Sequence, residues 1–195
     1  AIQGLGPCTL DVRSCHVDIL ACGAQKWLLS PWGSGFVYVR EDLVRTLEPN
    51  VVSWMAVQNS DDFTRLLDYD LAWRENARRF EQITLPYQDF AGFNASLELL
   101  HELGPGAVAR HVSGLVDVIV AWAGGRRDVE LITPRARDRR AGIVALRPCD
   151  PEGASRRLRE AGVTHPLREG AIRLTPHCYN TREEIERTLA VLDAG

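Results

Sequence analysis

Lysine is almost missing from this 195-residue chain: Lys26 is the one lysine, and the other 22 basic residues are arginines. The five cysteines are odd in number, and none of them forms a C-x-x-C pair. This pattern disfavours a disulfide framework or a structural zinc site and fits a reducing, cytoplasmic environment. The sequence predicts no metal site, since His177 and Cys178 are adjacent, which is poor geometry for shared ligation.

An excess of positive charge and long apolar runs are also lacking. The formal net charge of −3 gives no electrostatic footprint for nucleic acid or an acidic membrane surface. The densest arginine group, at 135–140, is interpreted as a solvated face. No apolar run approaches the roughly 18 residues that span a bilayer, and no signal peptide is recognisable. The chain does not start with methionine and begins like mid-domain sequence, so we expect a fragment of a longer chain.

What is present is the composition of a globular protein, with 45% hydrophobic and 25% charged residues. Strand-like and helix-like segments alternate, which predicts an α/β or α+β layer structure. Two substantially buried strands are expected on either side of the turn "SPWGSG", a helix over 71–83, and a final helix opened by a capping box of Thr181 and Glu184. We predict a domain boundary near residue 75, so that 1–75 ends one domain and 76–195 has its own core.

The single lysine is the first candidate for chemistry. A solvated surface charge is the ordinary role of a lysine, but this chain uses arginine for that role everywhere else. Only a lysine amine can attack a carbonyl and form an imine. Lys26 is embedded in apolar sequence next to Trp27, where desolvation would lower its pKa. Gly33 and Gly35 permit close backbone approach, so the combination predicts a Schiff-base lysine.

The segment "DILACGAQKWLLSPWGSGFVYVR" resembles the lysine segment of the class V aminotransferase family, which comprises fold type I pyridoxal-phosphate enzymes such as cysteine desulfurases, kynureninase and isopenicillin-N-epimerase-like proteins. "RRFEQIT" and "IRLTPHCYNTREEI" resemble two further family motifs, and Gln3, Gly6 and Asp11 match an upstream one. The resemblance implies that 1–75 is the C-terminal part of the large cofactor-binding domain. It implies that 76–195 is a small α+β C-terminal domain.

The resemblance also implies roles for matched residues. Lys26 would hold pyridoxal 5′-phosphate as an imine and then move protons at the substrate α-carbon. Gln3 matches the glutamine that hydrogen-bonds the cofactor's ring hydroxyl, and Gln25 stands where desulfurases have a histidine. Thr84 matches the threonine that reaches the phosphate of the neighbouring subunit in family homodimers, although Ile83 replaces the family's glycine before it.

Arg173 is the second candidate for chemistry. The resemblance implies that it pairs with the α-carboxylate of an amino-acid substrate, which the planar fork of a guanidinium binds in one orientation. Its place between Ile172 and Leu174 is awkward for mere solvation. A structural ion pair is the alternative.

The chain also departs from the family pattern. The aspartate that pairs with the pyridine nitrogen would precede Ala1, and the phosphate loop lies further upstream. We therefore expect this chain alone to be inactive and to bind the cofactor weakly or not at all, which an absorbance titration tests. Gly23 replaces a frequent serine.

The reaction type stays open from sequence. Transamination, epimerisation and lyase chemistry use the same lysine and arginine. A cysteine desulfurase or selenocysteine lyase is an alternative, but the stretch before Arg173 lacks the expected cysteine. A non-catalytic α/β interaction module that retains the fold is an alternative of another class.

Overall fold

The computed structural model describes residues 1–65, 67–68 and 70–194. By its internal contacts the chain divides into two compact units. The first unit consists of Ala1–Ile2 and Leu10–Leu97, and the second of Gln3–Thr9 and Glu98–Gly195. Both units contain an antiparallel sheet and helices, so the mixed α/β architecture predicted from sequence is confirmed.

The sheet of the first unit has two strands. β1 (Ile19–Gly23) pairs antiparallel with β2 (Gly35–Val39), and the predicted turn joins them. The predicted burial of both strands is wrong, because Ile19 is 53% and Val37 is 59% exposed. Apolar sequence indicated a buried sheet, but a pair of strands offers few neighbours to cover its side chains within this chain. Helix α1 (Glu41–Thr46) follows β2 directly.

The helix predicted over 71–83 is absent, and that prediction is wrong. The segment contains only a short 3₁₀ turn, Ala77–Phe80, which is capped by the side chain of Asn76. Trp73 instead forms a β-bridge with Val57, and Arg74 donates hydrogen bonds to the Met55 carbonyl and to Ser60 at 2.8 and 2.9 Å. These tertiary contacts override the helical spacing of the sequence.

Helix α2 (Tyr87–Leu103) ends before Gly104, whose φ of 81° is a conformation that favours glycine and stops the helix. The two compact units divide inside α2, between Leu97 and Glu98, so the segment 76–97 packs with the first unit. The assignment of 1–75 and 76–195 to the large and small domains of an enzyme stays a prediction.

The second unit has a four-stranded antiparallel sheet in the order β3-β4-β6-β5. Its strands are β3 (Val129–Leu131), β4 (Val144–Pro148), β5 (Leu167–Arg168) and β6 (Ala171–Leu174). The two central strands carry fully buried side chains, among them Val144, Leu146 and Ile172. This alternation of buried and more exposed residues leaves Arg173, between two buried neighbours, on the other face of β6.

Three helices cover the buried side of that sheet: α3 (Pro105–Gly124), α4 (Pro151–Glu160) and α5 (Arg182–Asp193). Helices α3 and α4 pack against the strands, and α5 packs against both helices. The predicted capping box of α5 is confirmed: the Glu184 N–H donates to the Thr181 hydroxyl at 3.2 Å, and the Thr181 N–H donates to the Glu184 carboxylate at 2.9 Å.

Helix α3 is long and apolar enough to cross a membrane by length and composition alone, with a mean hydropathy of 1.3. The expectation from sequence concerned apolar runs, and charged residues such as Arg110 and Asp117 interrupt the apolar sequence of this helix. A core helix passes the same test. Residues Val112, Val116 and Ile119 of α3 are almost fully buried within the second unit.

Candidate active site

The candidate lysine lies on a turn between β1 and β2 in the first unit. The turn is anchored by side chains on both sides of the lysine, since Ala24, Trp27 and Leu28 are all buried. Its ends are tied together because the Ala24 N–H donates to the Ser34 carbonyl at 3.0 Å. The buried hydroxyls of Ser30 and Ser34 lie 2.5 Å apart. Residue 26 is therefore held on a fixed backbone.

The side chain of Lys26 is exposed in this chain. The prediction that its ammonium is buried is wrong, because the turn directs Trp27 and Leu28 into the core instead. Apolar sequence neighbours do not bury a residue when the turn points it the other way. The ammonium makes no hydrogen bond or ion pair with any residue that the structure describes.

The side-chain amide of Gln25 occupies the space that a serine side chain at position 23 would need. A Cβ added at Gly23 would lie 2.7 Å from Oε1 of Gln25 and 3.0 Å from Cδ1 of Ile2. The carboxamide of Gln25 therefore lies beside the backbone of Gly23, at the end of β1. Glycine at 23 and glutamine at 25 are thus sterically linked, although the sequence shows them as two separate differences from the family pattern.

Helix α2 packs against the part of the lysine turn that follows Lys26. The Ser96 hydroxyl donates to the Leu29 carbonyl at 2.8 Å, and Leu29 has a φ of 55°, which is uncommon for a branched side chain. A Cβ added at Gly92 would lie 2.8 Å from Cγ of Pro31, so the helix lies against the proline ring. Ser96 and Gly92 are not identifiable as contact residues from the sequence, since their partners are more than 60 residues away along the chain.

Thr84 lies on an exposed loop between the 3₁₀ turn and α2. The preceding Ile83 is 72% exposed. The loop is fixed at its start, where the Ser53 hydroxyl donates to the Glu81 carbonyl at 2.8 Å. The Thr84 hydroxyl has no hydrogen-bond partner among the described residues, so its role at a neighbouring subunit stays a prediction.

Gln3 and Arg173 both belong to the second unit. Gln3 is half-buried and precedes a tight turn in which the Cys8 N–H donates to the Gly4 carbonyl at 3.1 Å. Arg173 is opposite Ala145 of β4 and is half-buried. Lys26, Gln25 and Thr84 belong to the first unit. The roles of all five residues stay predictions.

The surroundings of Arg173 bear on the alternative of a structural ion pair. Its backbone N–H donates to the Pro166 carbonyl at 3.1 Å, which fixes the strand. Its guanidinium makes no ion pair and no hydrogen bond with the residues that the structure describes. The arginine on the adjacent strand, Arg147, is paired with Glu130 at 2.7 Å. A half-buried guanidinium without a counter-charge is suited to bind a carboxylate from outside the chain.

The loop after β6 is structural. The His177 N–H donates to Oδ1 of Asn180 at 2.9 Å, and Thr181 caps α5, as the predicted capping box requires. Burial raises the pKa of the Cys178 thiol. Among the described residues, no group of three or more His, Cys, Asp and Glu side chains is placed to hold a metal ion.

Known proteins resemble this chain in sequence. The sequence pattern of the aminotransferase class-V family matches residues 1–188. The chain is 31% identical to an uncharacterised aminotransferase of Bacillus subtilis, over 97% of this chain and 48% of that protein. It is 29% identical to the isopenicillin N epimerase of Streptomyces clavuligerus, over 95% of this chain and 49% of that protein.

A solved structure shares the fold. The apo cysteine desulfurase of Thermococcus onnurineus superposes with a TM-score of 0.84 at 24% identity, over 100% of this chain and 50% of that one. This likeness confirms the predicted fold class, and the division into the end of a large domain and a small α+β domain stays a prediction. The chain spans about half the length of the relatives that it matches.

Proposed function

The chain belongs to the aminotransferase class-V family, and from that premise we propose that it is part of a pyridoxal-phosphate-dependent enzyme acting on an amino acid. One observation carries the proposal: Lys26, the chain's single lysine, is held on an anchored turn with its ammonium accessible and unpaired among the described residues. An amine presented in this way is available to a carbonyl carbon.

The residues present fit pyridoxal 5′-phosphate. Lys26 offers an accessible amine, and the preceding residue, Gln25, has a carboxamide beside the backbone of Gly23 that can hydrogen-bond a polar ligand. When bound, the cofactor supplies an electron sink for charge that develops at the substrate α-carbon. The chain's own contribution is to orient the substrate and to move its α-proton, the roles proposed for Arg173 and Lys26.

The unpaired guanidinium of Arg173 supports an amino-acid substrate. A planar fork binds a carboxylate through two parallel hydrogen bonds and so fixes the position of the α-carbon. Transamination, epimerisation and lyase chemistry are all compatible with this pair of residues.

A desulfurase or selenocysteine lyase is the less favoured candidate. The segment from 161 to 172 contains no cysteine, and Cys178 follows Arg173 in the chain. Burial raises the pKa of the Cys178 thiol, which disfavours the nucleophilic thiolate.

The exposed loop of Thr84 supports a homodimer in which this residue reaches a neighbouring cofactor phosphate. A cytoplasmic location, without membrane or nucleic-acid partners, is part of the proposal. So is weak cofactor binding, with no activity, by this chain alone.

Borohydride reduction with peptide mapping tests the proposal. The chain is incubated with limiting pyridoxal phosphate and reduced, and the labelled peptides are identified by mass spectrometry. Because Lys26 is the one lysine, every side-chain adduct maps to it, and Lys26→Arg should abolish that adduct. Labelling should be greater in the native chain than in the same chain unfolded in urea. Equal labelling of the two would indicate an ordinary exposed lysine and support the non-catalytic module.

A second arm of the same experiment tests the arginine. An amino acid added before reduction should lower the label at Lys26. Arg173→Gln should raise the amino-acid concentration needed for the same loss of label by about tenfold. Arg147→Gln is the matched control, since it removes a guanidinium that is already paired on the adjacent strand. Equal competition in both variants would contradict the role of Arg173.

A further inference from the structure

A pocket of about 380 Å³ lies wholly within the second unit, and its lining includes none of the residues assigned to the cofactor. It is bounded by the segment 7–9, the first turns of α3 and the segment 137–141. Three guanidiniums line it, from Arg110, Arg137 and Arg140.

The charges around this pocket do not balance. Among the residues that the structure describes, Asp117 is the one counter-charge in contact: it accepts hydrogen bonds from Nε of Arg137 at 3.2 Å and from the guanidinium of Arg140. Arg110 makes no ion pair with any described residue. Three positive charges therefore face one negative charge, which leaves an excess of two.

One of these arginines is built into the unit rather than solvated. The side chain of Arg140 is only 5% exposed, and its guanidinium donates to the Arg135 carbonyl at 2.7 Å. The interpretation of 135–140 as a solvated face is therefore wrong for Arg140, since the segment folds back against α3. Burial lowers the pKa of Arg140, and the positive charge of Arg137 lowers it further, so a bound anion would relieve their repulsion.

From this arrangement we propose that the pocket binds a small molecule through a phosphate group. Two unbalanced guanidinium charges match a dianion, and their planar forks bind oxygens in pairs. The hydroxyls of Thr9 and Ser113 line the same pocket and can donate further hydrogen bonds. Gly106, in the first turn of α3, brings the positive end of the helix dipole to the pocket. The volume exceeds that of phosphate alone and leaves room for a small organic body.

Calorimetric titration of the chain with inorganic phosphate at constant ionic strength tests this site. Arg110→Gln should weaken phosphate binding about tenfold. Arg139→Gln is the matched control, because it removes the same charge from an exposed position that does not line the pocket. A parallel titration with citrate tests whether a carboxylate anion binds as well as phosphate does. Tighter binding of citrate than of phosphate, or equal weakening by both substitutions, would overturn the proposal.

A thiol in the pocket gives an independent readout. Cys8 lines the pocket and is half-buried, whereas Cys15 is exposed and belongs to the first unit. Phosphate should slow the alkylation of Cys8 by iodoacetamide and leave that of Cys15 unchanged. The protection should be lost in Arg110→Gln, whose fold is checked by circular dichroism. Equal protection of both thiols, or none at Cys8, would show that phosphate does not occupy this pocket.

Discussion

Two glycines in helix interiors provide a matched test of how α2 clamps the lysine turn. Replacing a mid-helix glycine by alanine stabilises a helix by about 1 kcal/mol when the methyl group meets nothing. At Gly114 of α3, no heavy atom lies within 4 Å of the added Cβ. Gly114→Ala should therefore raise the local free energy of unfolding by about 1 kcal/mol.

The same change at Gly92 of α2 should have the opposite sign. There the added Cβ would lie 2.8 Å from Cγ and 3.1 Å from Cδ of Pro31, whose ring is rigid. Overpacking of this kind costs about 1–3 kcal/mol, which offsets or exceeds the gain in helix propensity. Gly92→Ala should leave stability unchanged or lower it by up to about 2 kcal/mol. Displacing the helix also weakens the Ser96–Leu29 hydrogen bond that holds the turn of Lys26.

Hydrogen exchange with mass spectrometry measures both outcomes locally, in peptides from α2, α3 and the lysine turn. Protection should rise about fivefold in α3 for Gly114→Ala, by the factor of ten per 1.4 kcal/mol. It should fall or stay level in α2 and the lysine turn for Gly92→Ala. A similar rise in protection for both variants would refute the claim that α2 lies against Pro31.

Two further predictions concern the segments that flank the candidate residues. Thr181→Ala should lower the free energy of unfolding by about 1 kcal/mol in urea titration, while Thr164→Ala, at an exposed position, should not. A hydrogen bond from the Thr181 N–H lowers the pKa of Glu184. The ionised carboxylate therefore stabilises the fold at pH values above the ordinary carboxyl pKa, and this stabilisation is lost as the pH falls through the lowered pKa. Glu184→Gln should therefore lower the free energy of unfolding more at pH 7 than at pH 3, and an equal cost at both pH values would contradict this. Arg74→Lys should speed hydrogen exchange around Met55, since lysine cannot keep both hydrogen bonds of the guanidinium; unchanged exchange would show that the loop does not depend on them.

Much of the secondary structure could be predicted from the sequence, because its signals are local. The glycine stop of α2, the proline start of α3 and the capping box of α5 each depend on residues within one helical turn. The predicted helix over 71–83 failed for the opposite reason. Its partners, Val57 and Met55, lie some 15 to 20 residues away in the chain, and their contacts with Trp73 and Arg74 outweigh helical periodicity.

The candidate residues divide in the same way. The sequence by itself determined which residues can carry the chemistry, since a single lysine and an arginine between apolar neighbours are visible without a fold. Only the tertiary structure decided their surroundings: Lys26 exposed on its turn, Arg173 without a counter-charge among the described residues, and Arg140 buried against α3. Residue type is a local property, whereas burial and charge balance depend on which distant segments the fold brings into contact.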